Sequence, residues 1–351
     1  MQLTNKNKKL LINLILLLIV SIILFVMLEI LFRFIYGPGR IQDEKGNTPY
    51  ISDNSLGFKL KPNYVGGFKE IDFDTQFTTN SQGFRSAYDF SQQDKDVIFM
   101  LGDSFTAGSG VEINESIAFQ LEKIFMGEFK IYNLGVPGYS QMQQVKQLES
   151  MLPLYSPDLI ILNFYSGNDV SDNCNYSPTI QQEEGLYGRA KVIFKKSQFI
   201  TALYRKIIVP LKYPANLDYY LDQENVQECY NITKDYLKEI KMLADLYDLK
   251  LIMTVIPREQ QTVEKGRKKL IDWYDNFEEY DENKFDLDIV KRKVLDMCHE
   301  LEIECFDLTP IFIEKDGEVD LYVNDGHWNE EGHKLAAQSI AKYLKNENYL
   351  D

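Results

Sequence analysis

The chain has 351 residues, 44% of them hydrophobic and 26% charged, the balance of a globular protein with one large core plus extensions and not of a disordered chain. Its 53 acidic and 38 basic side chains leave a formal charge of -15. That surface lacks the basic footprint a nucleic-acid partner requires.

The N-terminus differs in kind from the rest. Leu10 to Leu28 (LLINLILLLIVSIILFVML) carries no charge and has close to the ~20 residues with which a helix crosses a bilayer. Lys6, Lys8 and Lys9 precede it, and Glu29, Arg33 and Arg40 follow. The lysines predict a cytoplasmic N-terminus and an extracytoplasmic remainder. A cleaved signal peptide is the alternative, but the run exceeds the usual ~7–15 apolar residues and no small-x-small site follows. Residues 1–36 therefore read as a tail and single membrane anchor. From 37 to 95 the chain is rich in Gly, Asn, Asp and aromatics; alternating pieces such as Phe73 to Thr79 predict short strands in a membrane-proximal lead-in.

From 96 to 351 apolar runs alternate with helical patterns. Buried parallel strands are expected at Asp96 to Leu101, Lys130 to Leu134, Asp158 to Phe164, Lys250 to Ile256 and Glu302 to Leu308. Helices are expected at Ile117 to Met126, Gln141 to Leu154, Val226 to Tyr247 and Leu287 to Leu301. The pattern is that of an α/β domain with a mainly parallel five-stranded sheet covered on both faces. Two stretches interrupt it, at about 171–225, with a basic amphipathic piece from Ala190 to Ile208, and at about 258–286, highly charged around Trp273 and Tyr274. Cys174, Cys229, Cys298 and Cys305 have no spacing that suggests zinc; outside the cytoplasm they are free to form disulfides of undetermined pairing.

In such sheets chemistry gathers at the carboxyl ends of strands. The first strand ends in Gly102-Asp103-Ser104, where the serine is either a plain helix N-cap or a nucleophile. A nucleophile needs a base, and there are only three histidines. His299 falls within a helical pattern and His333 within the start of the terminal helix, where packing is the expected role. His327 lies in the loop after the last strand, with Asp325 two residues before it to hold its ring. Donors for an oxyanion are available at Gly138, in "NLGVPGYS" after the second strand, and at Asn168, in "YSGNDVSDN" after the third.

Gly102-Asp103-Ser104, Gly138, Gly167-Asn168-Asp169 and Asp325/His327 resemble, in order and placement, the four blocks of the SGNH (GDSL-like) hydrolase superfamily. The resemblance implies a three-layer α/β/α, flavodoxin-like fold, with Ser104 as nucleophile and His327 as general base. The oxyanion hole would comprise the Ser104 N–H, the Gly138 N–H and the Asn168 side chain. The family commonly has Asp three residues before the His; here that position is Asn324, and Asp325 is the expected orienting residue. Asn80 and Gly83-Phe84-Arg85, together with the anchor, resemble a branch of membrane-anchored members associated with envelope polysaccharides, and Arg85 is expected to pin the lead-in to the sheet. The function expected is an extracytoplasmic serine esterase acting through an acyl-enzyme on O-acyl esters, O-acetyl first among them, of an envelope carbohydrate, with no metal or cofactor. Transfer of the acyl group to a polysaccharide, a lipid esterase and a non-catalytic binding module are the alternatives.

Overall fold

Strand after strand, the apolar runs become the centre of the structure, a computed structural model that describes residues 5–36, 41–70, 72–94, 96–175, 197, 199–200, 224–274 and 286–349. In chain order the described elements are α1 (Asn5–Tyr36), β1 (Tyr50–Asp53), β2 (Gly57–Leu60), β3 (Val65–Lys69), β4 (Asp74–Thr78), β5 (Val97–Leu101), α2 (Ser104–Ala107), α3 (Ile117–Ile124), β6 (Lys130–Asn133), α4 (Gln141–Met151), β7 (Leu159–Tyr165) and α5 (Asp169–Asn175). There follow α6 (Glu224–Leu246), β8 (Lys250–Ile256), α7 (Glu259–Thr262), α8 (Glu264–Tyr274), α9 (Ile289–Glu300), β9 (Glu304–Asp307), α10 (Thr309–Glu314) and α11 (Glu330–Asn346). Of the helix expected over 190–208, only residues 197, 199 and 200 are described.

The chain forms two compact units. The smaller contains α1, of which Leu11–Phe32 is long and apolar enough to cross a membrane. Its Leu, Ile and Val side chains from Leu11 to Val26 are largely exposed. Near its end, Glu29 accepts hydrogen bonds from Ser197 Oγ (2.7 Å) and the Phe199 N–H (3.1 Å), and the Phe199 ring stands edge-on to Phe32.

The larger unit holds a five-stranded parallel sheet, among the described residues, in the order β6-β5-β7-β8-β9. Strand side chains alternate between faces. Ile98 and Met100 of β5 share a core with Ile117 and Leu121 of α3 and with Ala337, Ile340 and Leu344 of α11. Val97, Phe99 and Leu101, pointing the other way, are equally buried, with Phe99 against Tyr132 and Tyr155, while α6 packs on both β8 and α4. This is the three-layer α/β/α architecture, and it brings the ends of β6, β5 and β7 side by side.

The lead-in contributes two hairpin-like pairs, β1 with β2 and β3 with β4. They close a small core of Ile41, Leu60, Tyr64 and Phe77 around Val136 and Tyr139, residues of the loop that follows β6. Disulfides join Cys174 of α5 to Cys229 of α6, across the base of the long excursion, and Cys298 of α9 to Cys305 of β9. Both fix pairings that residue spacing leaves open.

Candidate active site

The serine corner is built from sterics upward. At Gly102, a Cβ would lie 2.0 Å from Thr106 Oγ1 and 2.9 Å from Thr106 Cβ, so no side chain fits where β5 turns into α2. The N-cap of α2 is Asp103, whose Oδ1 accepts the Phe105 N–H at 2.9 Å. Ser104 is thus relieved of capping and sits half-buried at the first helical position with its hydroxyl turned to His327. Beneath it runs a buried polar ladder. Asn163 Nδ2 donates to Thr106 Oγ1 (2.8 Å), Thr254 Oγ1 donates to Asn163 Oδ1, and Asn133 Nδ2 donates to the Thr106 carbonyl (2.9 Å). These side chains tie the turn to β6, β7 and β8. In the sequence their signal is a polar residue at an inner or final position of a largely apolar strand, Asn133 in KIYN, Asn163 in LIILNFY and Thr254 in KLIMTVI.

His327 arrives on the loop between α10 and α11. Its Nε2 lies 2.8 Å from Ser104 Oγ, and its Nδ1 lies 2.9 Å from Asp325 Oδ1. An ionised carboxylate only accepts, so Nδ1 carries the proton and Nε2 is left as acceptor for the serine O–H. The same Asp325 oxygen accepts the backbone N–H of His327 at 3.0 Å. Phe105 packs 5.1 Å from the imidazole and 5.1 Å from Trp328, a fully buried ring under the loop. Asn324, at the spacing the family more often uses, is exposed, and its backbone N–H donates to Asp72 Oδ2.

The other expected residues lie on the loops after the neighbouring strands. Gly138 is exposed at φ 86°, a left-handed conformation natural to glycine, with Phe58 Cζ 3.6 Å from where a Cβ would be. Asn168 precedes α5, half-buried, and its Nδ2 donates to Asp172 Oδ2 at 2.7 Å. The two loops are cross-linked by Gln141 Nε2, which donates to Asp169 Oδ2 at 2.6 Å. His299 is exposed on α9, away from this constellation in sequence and role. His333 is buried in α11 edge-on to Trp328, with neither ring nitrogen hydrogen-bonded among the described residues.

A family model for the GDSL-like lipase/acylhydrolases matches residues 98–340. The chain belongs to that family. This acylhydrolase is accordingly an ester-hydrolysing enzyme of SGNH type. Its structure is similar to that of TesA, at 13% identity and TM-score 0.43, covering 72% of this chain and 99% of that one. It is also similar to the psychrotrophic esterase EstA from Pseudoalteromonas sp., inhibited by monoethylphosphonate (11%, TM-score 0.41, 73% and 100%). A third similar structure is the acetyl xylan esterase AlAXEase (11%, TM-score 0.42, 71% and 99%). No curated protein matches the chain in sequence.

The electrostatics of the acylhydrolase site follow from burial and charge. Burial acts to lower the pKa of His327, but the hydrogen bond and charge of Asp325, helped by the charge of Asp103, outweigh it and leave the imidazole raised above 6.5. Burial raises Asp103 to about 6, and holds Asp169 well above the ordinary carboxylate range, with the charge of Asp103 adding to the effect. Asp172 is raised to about 6, by burial first and then by Asp103.

Arg85 ties the lead-in to the serine corner. Only 1% exposed, it donates from Nη1 to the Ala107 and Gly108 carbonyls and from Nη2 to those of Gln76 and Val111. It saturates the carbonyl end of α2 and the turn beyond, a structural pin and not a surface cation.

Proposed function

We propose that the chain is an extracytoplasmic serine esterase that removes O-acyl groups, O-acetyl above all, from an envelope carbohydrate through an acyl-enzyme on Ser104. The observation that carries this reading is the continuous hydrogen-bonded line Asp325 Oδ1, His327 Nδ1, His327 Nε2, Ser104 Oγ, with links of 2.9 and 2.8 Å.

His327 Nε2 takes the serine proton as Ser104 Oγ bonds to the acyl carbon. The carbonyl oxygen becomes an oxyanion that the N–H groups of Ser104 and Gly138 and the Asn168 amide receive. Asp325 stabilises the imidazolium by charge. His327 then gives that proton to the departing sugar hydroxyl, the carbon–oxygen bond breaks, and acyl-Ser104 remains. Water, deprotonated by the same nitrogen, releases the carboxylic acid and restores the serine. A polysaccharide hydroxyl in place of water gives acyl transfer by the same steps.

Support for a carbohydrate comes from the ground beside the base. A cavity of about 840 Å³ is lined by Asp320, Tyr322 and Asn324 of the histidine loop and by Asp72, Glu259 and Lys265. These polar side chains can exchange hydrogen bonds with a polyhydroxylated group, and Val263, Leu270, Phe312 and Val319 give the same cavity an apolar share. Support for the compartment comes from the paired cysteines, which suit an oxidising environment, and from the lysines ahead of α1.

The test is acetate release from acetylated envelope glycans by the wild type and by Ser104→Ala, with labelling by an organophosphonate alongside. The wild type should release acetate and be labelled, and Ser104→Ala should do neither. Equal labelling of the two proteins would remove Ser104 from the chemistry. Labelling with a preference for long acyl chains would keep the serine and replace the carbohydrate by a lipid.

A further inference from the structure

We propose that Asp172 is a positioning residue that aims the Asn168 carboxamide, so that its N–H edge and not its oxygen faces the oxyanion; this rests on the reading of Asn168 as an oxyanion donor.

A carboxamide has a donor end and an acceptor end, and the terminal torsion that exchanges them is broad and nearly two-fold. With the wrong end forward, Asn168 would set a carbonyl oxygen against the developing negative charge and destabilise the state it should favour. Something must choose the end. Asn168 Oδ1 is buried and has no hydrogen-bond partner among the described residues, so the oxygen does not make the choice. The nitrogen does: Nδ2 donates to Asp172 Oδ2 at 2.7 Å. An ionised carboxylate accepts and never donates, so it pairs only with the amine end. One N–H is committed to Asp172 and the second is left for the substrate oxygen.

Asp172 is well placed to hold that orientation because its own helix does not move freely. The first turn of α5 is closed by the Asp172 N–H donating to the Asn168 carbonyl at 2.8 Å, and by Ser171 Oγ donating to the same carbonyl at 2.8 Å. One residue on, Asn173 Nδ2 donates to Gln141 Oε1 (2.6 Å) and Thr233 Oγ1 (3.1 Å). Next comes Cys174, covalently bound to Cys229 of α6. The backbone and the side chain of Asn168 are therefore both referred to a helix fastened to α4 and α6.

Holding the donor in this way acts on the transition state and not on substrate affinity. Asp172→Ala should lower kcat about 10- to 100-fold with KM little changed, the scale of a donor displaced by about an ångström. Asn168→Ala alone should cost about 10²–10³ in kcat. The deciding measurement is the double mutant. If Asp172 acts through Asn168, adding Asp172→Ala to Asn168→Ala changes kcat by less than about twofold, because the group being aimed is gone.

A loss that multiplies in full in the Asn168→Ala background, or one carried by KM, overturns the proposal while leaving Asn168 as a donor. Wild-type kcat in Asn168→Ala shows instead that the reading of Asn168 fails, and the proposal falls with it. Thermal melting checks each fold. Should Asp172→Ala melt early, Asp172→Leu, which preserves bulk on the helix, is taken through the same cycle with the same two criteria.

Discussion

Replacing Asp325 by asparagine should separate two things a carboxylate does for a histidine base. In this loop one oxygen, Asp325 Oδ1, accepts both the backbone N–H of His327 (3.0 Å) and the ring Nδ1–H (2.9 Å). An asparagine in its place is held by the backbone N–H with its oxygen toward the ring. The Nδ1–H tautomer, with Nε2 free to take the serine proton, is therefore retained. What is lost is charge. A carboxylate and an imidazolium with centres about 4 Å apart attract by about 4 kcal/mol at an effective dielectric of 20 and by about 1 kcal/mol in water. The side chains of Asp325 and His327 are 36% and 26% exposed, which places the pair between those limits. About 2 kcal/mol, or roughly 30-fold in kcat/KM, is the expected loss for Asp325→Asn. Asp325→Ala also removes the acceptor of both the ring Nδ1–H and the His327 backbone N–H and should fall roughly 10³-fold. The assay is kcat/KM for p-nitrophenyl acetate across pH. The wild-type acid limb should lie on the alkaline side of an ordinary histidine's, because His327 is raised and only its neutral form accepts the proton. In Asp325→Asn that limb should move to lower pH while the plateau drops, since the hydrogen-bond and charge contributions of Asp325 weaken and the effect of burial stays. A loss of about 10⁴ or more would mean that the tautomer has reversed, and an unmoved acid limb would mean that Asp325 does not act on His327 at all; either result refutes the reasoning.

Arg85→Leu removes the donors to four buried or half-buried carbonyls, those of Gln76, Ala107, Gly108 and Val111. At about 1 kcal/mol for each, urea denaturation should show a loss near 4 kcal/mol, and a midpoint equal to the wild type would contradict the role of a pin. His333 is buried neutral with its pKa lowered to about 3, by burial first and then by the charges of Arg85 and His327. Its unfolded form takes up a proton below about 6.5 and its folded form does not, so stability falls with pH across that window, by about 2 kcal/mol between pH 6.5 and 5. His333→Leu should flatten this slope in denaturation midpoints measured from pH 7 to 5, and an unchanged slope would mean that the histidine is not what titrates.

The sheet was legible because a parallel strand covered on both faces must be apolar throughout, and β5, β7 and β8 are nearly so. The buried polar exceptions within those strands, Asn163 and Thr254, mark the ladder under the serine, and their contacts become visible only when adjacent strands are in register. Ser104 as either cap or nucleophile could not be decided from the sequence, since Asp103 and Ser104 are both good caps; the structure gives the cap to Asp103. The choice between Asn324 and Asp325 turns on local geometry. Asp-Gly-His allows the aspartate to receive the N–H two residues ahead, a common Asx turn with Gly326 at φ 89°, and that turn also presents the same oxygen to the ring. The two-residue spacing thus brings a carboxylate to Nδ1 of His327, the contact that the proposed orienting role requires.

No periodicity records the contacts that the lead-in makes, because they join residues far apart in the chain. Asp72 receives the N–H of Asn324 from 252 positions away, Arg85 holds the turn after Ser104, and the carbonyl of Phe58 accepts the Tyr139 hydroxyl (2.6 Å) beside Gly138. Each contact falls on a different loop carrying a proposed catalytic residue, while the remaining loop, that of Asn168, is held by α4 and α6 instead. A loop at the end of a parallel strand has few backbone partners of its own, and its conformation is fixed by whatever packs against it. Here side chains and carbonyls from residues 58 to 85 do that at once for the loops that carry Ser104, His327 and Gly138. If these three have the roles proposed for them, the lead-in bears on catalysis by placing their loops, and the site of this acylhydrolase is built by the lead-in as well as by the α/β sheet.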